Sequence, residues 1–121
     1  MASVNRLTLM RDAYRPDGLQ SSVMFLPEAD RRLVWAEWQK SPQEHMRRHS
    51  RGGDQAFLET LWLDQADRWQ DVLPGQVVSY KADIRKNGNV LPPDARVIAF
   101  HGRPRPWALP PLHPLYRAAG Y

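Results

Sequence analysis

The sequence predicts an α/β fold, a small mixed sheet with flanking helices, and three observations carry that expectation. Residues 27–40 and 53–62 repeat apolar side chains at the spacing of an amphipathic helix. Residues 21–26, 77–81 and 96–100 are short runs with β-branched or aromatic side chains, as strands require. Turn signals separate them: Arg15-Pro16-Asp17-Gly18, Asn87-Gly88 and Pro92-Pro93-Asp94. At 121 residues the chain is expected to form one domain, 1–121, with residues 102–121 as an extended Pro-rich tail.

Element by element, Leu7 to Tyr14 can form a short helix that the Arg15–Gly18 turn ends. Ser21-Ser22-Val23-Met24-Phe25-Leu26 suits a buried strand. Pro27 then stands where a helix starts, because its missing N–H costs nothing in the first turn. Glu28 and Asp30 follow where the helix dipole favours negative charge. Ala29, Leu33 and Ala36, with Val34 and Trp38 alongside, make the apolar stripe of a helix reaching about Lys40.

Ser41 to Arg51 is polar and basic, and reads as a solvated loop or helix end. His45 and His49, four residues apart, have no third ligand beside them and are set aside as a metal pair. Gly52-Gly53-Asp54 opens the next helix, where Phe57 and Leu61, then Leu58 and Trp62, recur at i, i+4. Val77 to Lys81 reads as a strand, and Arg96 to Phe100 as a buried one that delivers His101-Gly102. Beyond Arg103, prolines at 104, 106, 110, 111 and 114 argue against regular structure. About three strands make a small sheet whose open edge invites a partner.

Composition bounds the chemistry. With no cysteine, disulfides, zinc–thiolate sites and thiol catalysis are excluded. Apolar runs of a few residues cannot span a bilayer, and Met1 to Arg6 lacks the apolar stretch of a signal peptide. A cytoplasmic chain without membrane contact is expected. The formal charge of +4 favours anionic partners. No acidic residue follows Asp94, whereas Arg96, Arg103, Arg105 and Arg117 do.

Three constellations could carry chemistry. They are Gln20-Ser21-Ser22-Val23-Met24, then Gly52-Gly53-Asp54-Gln55, then Phe100-His101-Gly102-Arg103-Pro104-Arg105-Pro106-Trp107. In the last, a glycine after a strand admits a ligand close to the backbone, and the arginine forks suit phosphate oxygens. His101 could serve as a metal ligand, a phosphate partner or a structural side chain. Asp54 is equally placed to cap its helix, and capping is compatible with a functional role.

Taken together, in order and rough spacing, these residues resemble the later motifs of retaining glycosyltransferases of the glycogenin-like and lipopolysaccharide-galactosyltransferase-like kind. Small glycosyltransferase-like proteins of phages and prophages share the style of Trp69-Gln70-Asp71-Val72-Leu73-Pro74-Gly75-Gln76-Val77-Val78-Ser79-Tyr80-Lys81. The resemblance covers nearly the whole chain, and implies the second half of a GT-A-type domain. It places Asp54 and Gln55 at the sugar, near the anomeric carbon, as the catalytic pair. It places Gly102 and Arg105 on the nucleotide diphosphate, with Pro106 and Trp107 matching directly. Arg105 stands where the family has lysine, and Ser22 where it has glycine. The family's metal-binding histidine lies three residues before the glycine, where this chain has Ala99, so His101 is the candidate metal ligand.

The family's Asp-x-Asp metal motif has no counterpart in the sequence. Such a carboxylate pair holds the divalent cation (Mn or Mg) that neutralises a departing diphosphate. The expectation is an acceptor-side half, inactive alone, that transfers sugar from a nucleotide-sugar to an acceptor only with a complementing amino-terminal half. A homodimer is the other expected remedy for the open face. The alternative from a different class is a non-enzymatic binding module whose basic, Trp-bearing tail meets nucleic acid or another polyanion. Sparse arginines disfavour that reading, as does the placing of Trp35, Trp38 and Trp62 on amphipathic helices.

Overall fold

The computed structural model describes residues 4–111, 113–118 and 120; the start of the Met1–Arg6 segment lies outside them. The chain is a small mixed α/β protein, and its contacts gather into two compact units, Met1–Trp69 and Gln70–Tyr121. The sequence reading expects one domain, whereas each unit has its own apolar cluster.

In the first unit, β1 (Thr8–Arg11) is the central strand, antiparallel to β2 (Leu19–Phe25) and parallel to β3 (Asp67–Arg68). The helix expected over 7–14 is therefore a strand. Leu9 and Met10 are both fully buried, so the segment lacks the alternation that marks a half-exposed strand. Pairing on both sides decides its conformation over local propensity. Leu9 pairs with Met24 but Met10 with Gln20, so residues 21–23 bulge opposite a single step of β1. Bulges of this kind re-aim side chains, and here the bulge carries Ser21.

α1 (Glu28–Lys40) begins after Pro27 as the sequence predicts. Its inward face is narrower than expected: Val34 and Trp38 pack on the core, whereas Leu33 and Trp35 are 48% and 60% exposed. Core packing thus accounts for Trp38 and Trp62 but not Trp35. The segment expected as a solvated loop or helix end forms a helix of its own, α2 (Pro42–Arg48). Pro42 starts it, and Glu44 links to Arg47 and Arg48 at helical spacing. His45 stacks on Trp38 and lies against Phe57, with Nε2 donating to the Glu37 carbonyl at 2.8 Å. That aromatic packing explains the histidine.

α3 (Gly53–Trp62) buries Phe57, Leu58 and Trp62 against Leu7, Leu9, Leu19 and Ala66. Removing the Trp62 ring from water contributes about 4–6 kcal/mol by area. α4 (Trp69–Val72) carries the chain past Trp69, whose Nε1 donates to the Val23 carbonyl at 3.1 Å.

In the second unit β4 (Val77–Ser79) and β5 (Val97–Ala99) pair in parallel, with Ser79 opposite Ala99. Among the described residues five short strands in two sheets thus stand where about three were expected. The strand expected to reach Lys81 stops at Ser79, where a π turn, Tyr80–Ile84, takes over. Ser79 and Asp83 fix that turn reciprocally: Asp83 accepts from the Ser79 N–H at 2.7 Å, and Ser79 Oγ from the Ala82 N–H at 3.3 Å. β5 is less buried than expected, with Val97 40% exposed.

The Pro-rich segment is not an extended tail. Pro106–Ala108 forms a 3-10 turn and α5 (Pro114–Ala118) a short helix. Leu109 and Leu115 are buried with Val78, Tyr80 and Ile84. Proline is disruptive inside a helix but compatible with its first turn, which is where Pro106 and Pro114 stand.

Candidate functional site

In the first unit, two of the sequence constellations meet. Ser21, on the β2 bulge, donates through Oγ to Asp54 Oδ2 at 2.7 Å. Asp54 is the second residue of α3, behind Gly52 at the cap position, and makes no side-chain cap bond. The capping reading is therefore replaced by a tether between helix and strand. Its charge still lies in the first turn, where the dipole favours it.

Gln55 faces elsewhere, donating through Nε2 to Asp12 Oδ2. Asp12 closes a turn of its own, with Oδ1 accepting from the Tyr14 N–H at 2.7 Å and the Arg15 N–H at 3.2 Å. Arg15 Nη2 lies 2.6 Å from Glu59 Oε1, and that same oxygen accepts from the Leu19 N–H at 2.9 Å. Burial works to raise the Asp12 carboxyl pKa; hydrogen bonds from Tyr14, Gln55 and Arg15, with the Arg15 charge, outweigh it and hold the carboxyl below its usual range. Hydrogen bonding and charge from Glu59 raise Arg15. An open cleft of about 490 Å³ lies here, lined by Tyr14, Arg15, Arg51, Gln55 and Glu59 among others.

Asp12, Arg15 and Glu59 escaped the sequence reading. The signal available was Asp12 followed by Arg15-Pro16-Asp17-Gly18, an Asx-turn pattern that the expected helix over 7–14 obscured.

The second unit holds the closing constellation. Because β4 and β5 are parallel, both leave the sheet at the same edge. Ligands of parallel sheets bind outside the carboxyl ends of their strands. One residue beyond the Ser79–Ala99 pair, Tyr80 and Phe100 stack with centroids 4.6 Å apart and planes at 13°. Beyond those, Lys81 comes against Gly102, where an added Cβ would lie 3.2 Å from Lys81 Nζ. Gly102 has φ +68°, the left-handed region that glycine adopts without a Cβ penalty.

The chain past Gly102 then lines a cleft of about 820 Å³ together with Arg85. Its walls are Arg85, Gly102, Arg103, Pro104, Arg105, Trp107 and Ala108, with no carboxylate. Neither Arg85, Arg103 nor Arg105 has an ion pair among the described residues. Trp107 is 80% exposed. Tyr116, from α5, donates to the Pro106 carbonyl at 2.6 Å and braces the turn that bears Trp107.

Gly102, Arg105 and Trp107 line one cleft, and Arg85 joins them from outside the motif. His101 is half-buried and does not line this cleft. Among the described residues no three His, Asp or Glu side chains gather as a metal site. No helix of the described residues is long and apolar enough to cross a membrane.

No protein-family model, curated protein or solved structure matches this chain.

Proposed function

We propose that this chain supplies the acceptor-side portion of a GT-A-type, nucleotide-sugar-dependent glycosyltransferase and holds the diphosphate of the donor. The observation that carries the reading is the cleft at the carboxyl end of the β4–β5 pair. Its three arginines, a glycine with Lys81 against it and an exposed indole stand with no lining carboxylate. That donor set suits two linked phosphates and a planar base.

In this reading Arg103 and Arg105 stabilise negative charge as it builds on the departing diphosphate, which a preorganised cation does without reorganising solvent. Asp54 and Gln55, tied to Ser21 and Asp12 in the first unit, are assigned no contact with the ligand held in this cleft. Among the described residues no three His, Asp or Glu side chains gather, and no step is assigned to a divalent cation. The sequence has no Asp-x-Asp pair. Turnover is therefore assigned to this chain only together with a polypeptide that provides one.

Equilibrium titration of the chain with UDP tests the reading directly. Saturable binding at micromolar to submillimolar UDP is expected, with no hydrolysis or transfer from UDP-glucose until an Asp-x-Asp polypeptide is added. No UDP binding at millimolar concentration would reject the site. Robust UDP-sugar turnover by the chain alone would reject the need for complementation.

The exposed Trp107 among arginines also favours a second reading, a polyanion-binding module without catalysis. Single-stranded oligonucleotides that bind far more tightly than UDP, with steep salt dependence, would select it.

A further inference from the structure

We infer that Arg85, which lies outside the closing motif, is a phosphate-binding residue of the same cleft and sets its preference for a diphosphate over a monophosphate. This rests on the nucleotide reading above and adds to it the means of selection.

Three observations lead there. First, the Arg85 side chain has no structural occupation: among the described residues its guanidinium makes no hydrogen bond or ion pair, only its backbone N–H donating to the Tyr80 carbonyl, yet it lines the cleft together with residues of the Gly102–Trp107 segment. Second, its backbone is held from both sides. Ile84 before it is fully buried, and the Ile84 carbonyl accepts from the Asn89 N–H at 2.9 Å. Asn87 Nδ2 donates to the Asp83 carbonyl at 2.9 Å, and Gly88 ends the 3-10 turn Arg85–Asn87 in the left-handed region. Third, the π turn that precedes it is registered to the motif by the Tyr80–Phe100 stack and the approach of Lys81 to Gly102. π turns of this kind recur at functional sites. The segment bearing Arg85 is thus fixed against the segment bearing Arg103 and Arg105, by contacts that do not involve Arg85 itself.

Charge then gives the preference. A nucleoside monophosphate carries one phosphoryl group, which two arginine forks can satisfy. A third unneutralised guanidinium, from outside the motif, gains a partner only when a second phosphoryl group reaches it. Leaving it unpaired costs little in solvent, whereas engaging it adds a charge-assisted bond. The cleft should therefore bind UDP more tightly than UMP, and Arg85 should carry most of the difference.

The test is titration of the full chain and of Arg85→Ala, Arg85→Lys and Arg85→Glu with UDP, UMP and inorganic phosphate. The Arg85 side chain is exposed and makes no bond among the described residues, so the variants should fold; circular dichroism and thermal melting check this. Expected is an about ten-fold loss of UDP affinity in Arg85→Ala, the cost of one such contact. UMP affinity should change less than about two-fold, with partial recovery in Arg85→Lys and a deeper UDP loss in Arg85→Glu. Wild-type binding of UDP that Arg85→Ala leaves intact, or equal losses for UDP and UMP, would overturn the role of Arg85 alone. A wild-type chain that binds neither nucleotide would overturn the cleft reading and this inference together.

Discussion

Glu59 lies on α3, and one of its oxygens accepts from both the Arg15 guanidinium at 2.6 Å and the Leu19 N–H at 2.9 Å. Which bond matters can be worked out before any measurement. Arg15 has a 60% exposed side chain, so water readily replaces Glu59 as its partner. Leu19 is fully buried at the start of β2, and its N–H has Glu59 as its acceptor. Truncation to alanine strands that donor, at a cost of about 1–3 kcal/mol. Glu59→Ala should thus lower stability by about 2 kcal/mol on that basis. Glu59→Gln keeps a carbonyl oxygen for Leu19 and should cost well under half as much, while Arg15→Ala should leave the urea midpoint near wild type. Urea unfolding of the three variants reads the order, and hydrogen exchange at the Leu19 amide reads the cause. Equal losses in Arg15→Ala and Glu59→Ala would refute the argument, since the surface pair would then dominate. Gly18 supplies an independent check: an added Cβ would meet Glu59 Oε1 at 3.0 Å. Gly18→Ala should therefore push the carboxylate off Leu19 and reproduce part of the Glu59→Ala loss.

Three further outcomes are expected. Asp12 is held below its usual pKa in the folded chain, so its charged form stabilises the fold above the unfolded carboxyl value of about 3.9. That contribution is lost as pH falls through the lower folded value, so Asp12→Asn should be less stable than wild type at neutral pH, with the gap closing in acid. A gap that widened in acid would reverse the sign and reject the assignment. Gly102→Ala must hold a Cβ at φ +68° and displace Lys81, so both melting temperature and UDP affinity should fall, and an unchanged melting temperature would reject the strain. Trp107→Ala removes an 80% exposed ring, so unfolding free energy should stay within about 0.5 kcal/mol of wild type. UDP affinity should nonetheless drop about ten-fold if the indole stacks on the base, and unaltered affinity would remove Trp107 from the site.

The parts of the fold that the sequence predicts are those whose cause is local. α1 starts after Pro27, and α3 reads as a helix because Phe57, Leu58, Leu61 and Trp62 lie on its buried face. β1 was illegible for the opposite reason. Thr8, Leu9 and Met10 are all buried, their conformation is set by β2 and β3, and neither partner is visible at residues 7–14. The end of the chain misleads in a similar way. Its prolines are concentrated enough to suggest an extended tail, but burial of Leu109 and Leu115 orders it.

The candidate site divides along the same line. Gly102, Arg105 and Trp107 are close in sequence, so one segment is enough to bring them together. Arg85 reaches the same cleft only because two parallel strands end side by side and a π turn follows one of them. The sequence around it, Ile84-Arg85-Lys86-Asn87-Gly88, reads as a basic turn with nothing to mark it. Sequence proximity therefore picks out the half of a binding cleft that one strand exit provides, and the facing half has to be read from strand pairing. In this chain the facing half contributes a cation that the motif lacks, so the charge available to a bound phosphate is set by topology as much as by motif.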